Sequence, residues 1–157
     1  MTIPIVFRNF FQHAYIVRNT EKTIANFRDK YGVLKWQVRP IPEGAPIRAI
    51  SLAYVQKVMI ELIEPDPNQD SIFRDWIPES ETSAKFHHLG YLIDSDTEYR
   101  KTVAQFEAAK IGVAFAGSVG DTLDFHFADT VAQLGHYCEL VYLKPAGLDF
   151  FAQVPQN

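Results

Sequence analysis

Phe86-His87-His88-Leu89-Gly90-Tyr91-Leu92-Ile93 reads as a short buried strand with two histidines inside it. A similar stretch stands earlier in the chain, Phe11-Gln12-His13-Ala14-Tyr15-Ile16-Val17-Arg18. Setting Phe11 on Phe86 puts His13 on His88 and Val17 on Leu92, a repeat distance of 75 residues in a chain of 157. Self-similarity at half the chain length predicts one structural unit used twice. In this register Gln12 matches His87, and strand alternation turns both away from the face that His13 and His88 share.

Outward from these strands the two halves keep the same order. After the first strand, Asn19-Thr20 offers a helix start, and Ile24, Phe27 and Tyr31 line one face of a helix over 20–31 that Gly32 stops. A short strand is predicted over 34–38, then a loop over 39–46 whose three prolines forbid helix and central strand. Strands over 47–55 and 57–64 complete the unit. In the second half, Ser95-Asp96-Thr97-Glu98 is a capping box opening a helix that runs to Ile111 before Gly112. Strands follow near 113–116, 122–128 and 135–143. The expectation is one α+β domain over 1–157, with two tandem β-α-β-β-β modules at about 10–64 and 85–143. A polar connector over 65–84 joins them, and a tail over 144–157 docks through Phe150 and Phe151.

Composition narrows the function. Hydrophobic residues make up 47% and charged residues 22%, which suits a soluble globular protein. The net charge of −4 and the lack of a basic run argue against nucleic acid or an anionic membrane as partner. One cysteine, Cys138, allows no internal disulfide, and the opening 1–8 is too interrupted for a signal peptide. These features predict a cytoplasmic protein that acts on a small molecule.

The chemistry lies in charged residues inside apolar strands, where a lone carboxylate is costly. Glu61 stands in Met59-Ile60-Glu61-Leu62-Ile63 and Glu139 in Tyr137-Cys138-Glu139-Leu140-Val141. By alternation Met59, Glu61 and Ile63 share one face, as do Tyr137, Glu139 and Val141. If Ile60, Leu62, Leu140 and Tyr142 pack on the helices, both glutamates point to the opposite, concave face. His13, with Tyr15, and His88 can be placed there too. Two histidines and two glutamates in register suit one divalent metal ion, Zn, Ni, Co, Fe or Mn. The alternative for each residue alone is a solvated glutamate or a hydrogen-bonded half-buried histidine. Tyr15, Met59 and Tyr137 are candidate pocket walls. His126, in Leu123-Asp124-Phe125-His126-Phe127, faces the site if the two phenylalanines face the helices; otherwise it lies outward on a sheet edge. His136 is expected exposed, and Cys138 is expected to be a buried filler.

The strings His13-Ala14-Tyr15-Ile16-Val17, Ile60-Glu61-Leu62-Ile63-Glu64-Pro65, His87-His88-Leu89-Gly90 and Glu139-Leu140-Val141 resemble the vicinal oxygen chelate superfamily. That group includes glyoxalase I, methylmalonyl-CoA epimerase, extradiol dioxygenases, and fosfomycin and bleomycin resistance proteins. The resemblance spans about residues 10 to 143. It implies a curved, partly closed mixed sheet around a metal held by His13, Glu61, His88 and Glu139, in a homodimer. A protein ligand at Glu61 is similar to the glyoxalase and epimerase branches, although epimerases often carry Gln there. The implied activity is a metal-dependent isomerase or lyase that stabilises an enolate of an oxygen-chelating substrate. Glu61 or Glu139 would serve as base, with Glu43, from the loop that carries an epimerase's base, and His126 in reserve. The alternatives are an extradiol-type dioxygenase and a metal-free, resistance-type binding protein.

Overall fold

Each half of the chain builds a parallel strand pair flanked by an antiparallel hairpin. The computed structural model describes residues 7–157, so the expectation that the opening is no signal peptide falls mostly outside the described residues. Two compact units are present: Gln12–His87 with Val154–Asn157, and His88–Gln153 with residues 7–11. The element order is β1 (Phe10–Val17), α1 (Thr20–Tyr31), β2 (Gln37–Pro40), β3 (Ile47–Val55) and β4 (Val58–Pro65), then β5 (Ala84–Leu92), α2 (Asp96–Ala108), β6 (Val113–Val119), β7 (Leu123–Ala128) and β8 (Tyr137–Leu143). This is the expected α+β class with two tandem β-α-β-β-β modules.

In the first module β1 runs parallel to β4, and β3 is antiparallel to β4 and β2. Parallel partners need a long crossover, which α1 and the β2–β3 hairpin supply. The register pairs Gln12 with Met59, His13 with Ile60, Ala14 with Glu61 and Tyr15 with Leu62. One face, with Val17, Ala53, Ile60 and Leu62, packs on Ile24 and Phe27 of α1. Asn19 caps α1 by accepting the Lys22 N–H at 3.0 Å, and Glu64 of β4 accepts the Thr20 N–H at 2.8 Å. Gly32 ends α1 at φ 71°, where a Cβ would be strained.

The second module repeats the plan, with β5 parallel to β8 and β7 antiparallel to β8 and β6. Tyr91, Ala128, Cys138 and Leu140 pack on Phe106 of α2. Ser95 accepts the Glu98 N–H at 3.2 Å. The Glu98 carboxylate lies 3.7 Å from Lys101 Nζ, so the carboxylate half of the expected capping box goes to a neighbouring charge.

Three local features differ from the sequence reading. β2 starts at Gln37 because Asn157 Oδ1 accepts the N–H groups of Leu34 and Lys35, at 2.8 and 2.7 Å, ahead of any strand partner. Pro40 is tolerated there because β2 is an edge strand. A short helix α3 (Val131–Leu134) stands before β8, and the tail forms helix α4 (Pro145–Ala152). Gly147 permits that docking, since a Cβ would lie 2.1 Å from the Thr122 carbonyl oxygen. Among the described residues no helix is long and apolar enough to cross a membrane.

Candidate functional site

The second module brings together a histidine and a glutamate. β5–β8 register pairs His88 with Tyr137 and Gly90 with Glu139, so all four lie on one face. His88 is fully buried, and its Nε2 lies 3.3 Å from Glu139 Oε2, whose side chain keeps 12% exposure. The His88 ring meets Phe127 edge-on, with centroids 4.8 Å apart. Phe127 and Phe125 continue the same face, with Phe115 beside them on β6. A buried imidazole next to a partly exposed carboxylate, walled by aromatic rings, offers one nitrogen and one oxygen donor to a cation.

In the first module one face carries Gln12, Ala14 and Ile16 of β1 with Met59, Glu61 and Ile63 of β4. Glu61 is half-buried among apolar neighbours. Gln12 is 3% exposed; its Nε2 donates to Met59 Sδ at 3.3 Å, and its Oε1 is buried without a partner. An unsatisfied buried amide oxygen is costly unless something outside the chain uses it.

His13 is not on that face. It pairs with Ile60 on the α1 side, its ring perpendicular to Tyr15 at 5.5 Å. Its Nδ1 is buried without a partner, and burial lowers its pKa. The parallel pairs explain this: Ala14 opposite Glu61 corresponds to Gly90 opposite Glu139, so Gln12 corresponds to His88 and His13 to Leu89. The strand repeat is therefore 76 residues. The helix caps Asn19 and Ser95 stand 76 apart too, a signal already present in the sequence.

Other expected residues fall in different places. Met59 shares the Glu61 face, and Tyr137 shares the His88 and Glu139 face. Tyr15 opposes Leu62 and packs with Phe27 and Phe86 on the helix side, where burial raises its pKa. His126 also faces the helix layer, opposite Leu140, with its ring 6.0 Å from Phe106. It is 2% exposed, its Nε2 has no partner, and burial lowers its pKa against the opposing pull of Glu107. Phe125 and Phe127, on whose orientation that of His126 depends, face the glutamate side. Glu43 is exposed in the β2–β3 loop. His136 is half-buried, its Nδ1 2.8 Å from the Tyr137 carbonyl oxygen. His87 does face away: its Nε2 lies 3.1 Å from the Ile72 carbonyl oxygen, and its ring packs against Phe73 and Trp76. Cys138 is the expected buried filler, its thiol pKa raised by burial.

Solved structures share this fold. Methylmalonyl-CoA epimerase from Mycobacterium tuberculosis is 15% identical over 97% of both chains, with a TM-score of 0.68. A methylmalonyl-CoA epimerase in complex with methylmalonyl-CoA and NH4+ is 15% identical over 88% of this chain and 96% of its own, at 0.64. A Streptomyces coelicolor methylmalonyl-CoA epimerase variant in complex with 2-nitronate-propionyl-CoA is 17% identical over 86% and 96%, at 0.63. At such identities the likeness establishes the fold. No curated protein matches the chain in sequence. A family model spans residues 11–128, three-quarters of the chain, and by that match the chain belongs to the Glyoxalase/Bleomycin resistance protein/Dioxygenase superfamily.

Proposed function

We propose that the protein is a metal-dependent isomerase or lyase of the glyoxalase and epimerase type. The observation that carries this reading is the His88–Glu139 pair, 3.3 Å apart on an aromatic-walled face. Within the second module the donor chemistry fits a divalent ion, an imidazole nitrogen from His88 beside a carboxylate oxygen from Glu139; the first module offers its own donors, the carboxylate of Glu61 and the unpartnered amide oxygen of Gln12. His13 leaves the ligand set because it faces α1. A bound divalent ion would supply Lewis-acid polarisation of a substrate carbonyl and its neighbouring oxygen.

The chain's own residues do the rest. Buried His88 holds its nitrogen in place against Phe127, which limits water at the reacting carbon. Glu61, half-buried beside Met59 and Ile63, takes the proton next to the carbonyl and returns it, to the same carbon or to its neighbour. Phe125 and Tyr137 accommodate an apolar part of the substrate. A cytoplasmic homodimer is part of the proposal, and static light scattering checks its assembly.

The test is metal analysis of the wild type beside His88→Ala, followed by solvent-deuterium exchange into 2-oxo acids, acyl thioesters and glutathione hemithioacetals. Stoichiometric metal in the wild type only, with exchange into one substrate class, supports the reading. Equal metal content in both proteins overturns the site. Metal without exchange but with oxygen consumption on a catechol moves the assignment to a dioxygenase.

A further inference from the structure

Away from the glutamate face, the helix side of the first unit holds a cavity of about 540 Å³ between the C-terminal half of α1 and the start of β5. That volume lies in the range of small-molecule sites. Its apolar wall is aromatic: Tyr15 from β1, and Phe27 and Tyr31 from successive turns of α1, with Phe27–Tyr31 centroids 5.3 Å apart and Tyr15–Phe27 6.4 Å. Its polar rim holds Lys30, Asn26 and Ser83. No carboxylate lines the cavity, and Lys30 forms no ion pair among the described residues. Asn26 donates its Nδ2 to the Thr82 carbonyl oxygen at 3.4 Å, which ties the helix wall to the connector wall.

Charge and shape select the occupant. Rings at T-shaped angles leave edges and faces that receive another flat ring. One uncompensated ammonium at the rim favours an anion at the ligand's outer end, with Ser83 supplying a hydroxyl donor. Tyr31 is 66% exposed, a large aromatic surface left uncovered at the mouth. The geometry points to a second binding site, distinct from the glutamate face, for a small aromatic carboxylate whose ring enters between Tyr15, Phe27 and Tyr31 and whose carboxylate meets Lys30.

Benzoate and the uncharged benzyl alcohol are the probes, titrated into the full chain and followed by NMR. Benzoate is expected to shift Tyr15, Asn26, Phe27, Tyr31 and residues 82–84 saturably, and to bind about threefold more tightly than benzyl alcohol, the size of an exposed ion pair. Tyr31→Ala weakens both probes about fivefold, the size of an aromatic contact. Lys30→Met keeps benzyl alcohol binding and erases the preference for benzoate. Both residues are exposed, so these variants keep the fold. The site is overturned by linear, unsaturable shifts, by shifts confined to residues around Glu61 and Glu139, or by a benzoate preference that persists in Lys30→Met.

Discussion

The two modules are built on one plan but furnish it differently. Ala14 opposite Glu61 matches Gly90 opposite Glu139, and Leu62 matches Leu140. At the position two residues before Ala14 and Gly90, the second module has His88 and the first has Gln12. His88 is next to its glutamate at 3.3 Å, whereas Gln12 spends its amide N–H on Met59 and leaves its oxygen unpaired. A duplicated scaffold thus fixes where polar groups sit, while the residue chosen at each place sets which kind of donor it offers. An amide oxygen is a weaker donor than an imidazole, so on the proposed metal-dependent reading the first module would rely more on Glu61 than on Gln12.

One substitution breaks that comparison at its centre. On the proposed reading, Gln12→Ala should lower metal affinity by about 10-fold, the low end of what losing a supporting group at a metal site costs. His13→Ala should leave it within a factor of about 2, because its imidazole faces α1. Competition with a chromophoric chelator measures both. If His13→Ala proves the damaging change, the register drawn from the parallel pairs is wrong.

The strand sequence hides the orientation of His13 for a physical reason. A strand slipped by one residue keeps its composition and turns every side chain over. Phe11, His13 and Val17 matched Phe86, His88 and Leu92 by residue type, and both strands are apolar enough on both faces to hide the slip. For His126 two orientations are open in the sequence, toward the site or outward on a sheet edge, and it takes neither, facing the helix layer opposite Leu140. Phe125 and Phe127 looked like core residues, but they cover the glutamate side, and a sheet that buries both faces has no clean alternation to read. The glutamates were legible because a carboxylate in an apolar strand has few tolerable directions. His87 was legible because its orientation followed from its neighbour His88 alone.

A second comparison concerns the matched core positions. Leu62 and Leu140 are both fully buried, one in each helix-facing core. Leu→Ala at either should cost about 2–5 kcal/mol, a transfer loss plus a cavity. Urea unfolding of both variants tests whether the modules are equally well packed. A difference above about 2 kcal/mol would show that one core collapses around the cavity and the other does not.

Opposite these leucines stand Ser51 and His126, both buried and each with a polar atom lacking a partner. Only the histidine titrates. Burial holds its folded-state pKa below the unfolded value of 6.5. Above that value both states are neutral and the full stability is present. As pH falls below it, the unfolded chain takes up the proton first, and stability declines by up to about 1.4 kcal/mol per pH unit until the folded-state pKa is passed. Urea midpoints at mildly acidic and neutral pH should therefore diverge in the wild type, and His126→Phe should reduce the divergence. An unchanged pH slope in that variant would assign the acid sensitivity to another group.

The smallest effect separates the helix starts. Asn19 and Ser95 each accept one N–H, so replacing either by Ala should cost about 1 kcal/mol. Their acidic partners differ. Glu64 reaches from β4 to the Thr20 N–H at 2.8 Å, linking sheet to helix, while Glu98 lies exposed beside Lys101 at 3.7 Å. Glu64→Gln keeps an acceptor and loses the charge that favours a helix N-terminus, a change of about 0.3–1 kcal/mol. Glu98→Gln should fall within about 0.5 kcal/mol of wild type, as for an exposed surface site. Thermal unfolding of the four single variants orders them. If Glu98→Gln matched Glu64→Gln, the Ser95-to-Glu98 motif would be working as a full capping box in solution, and the two helix starts would be equivalent after all.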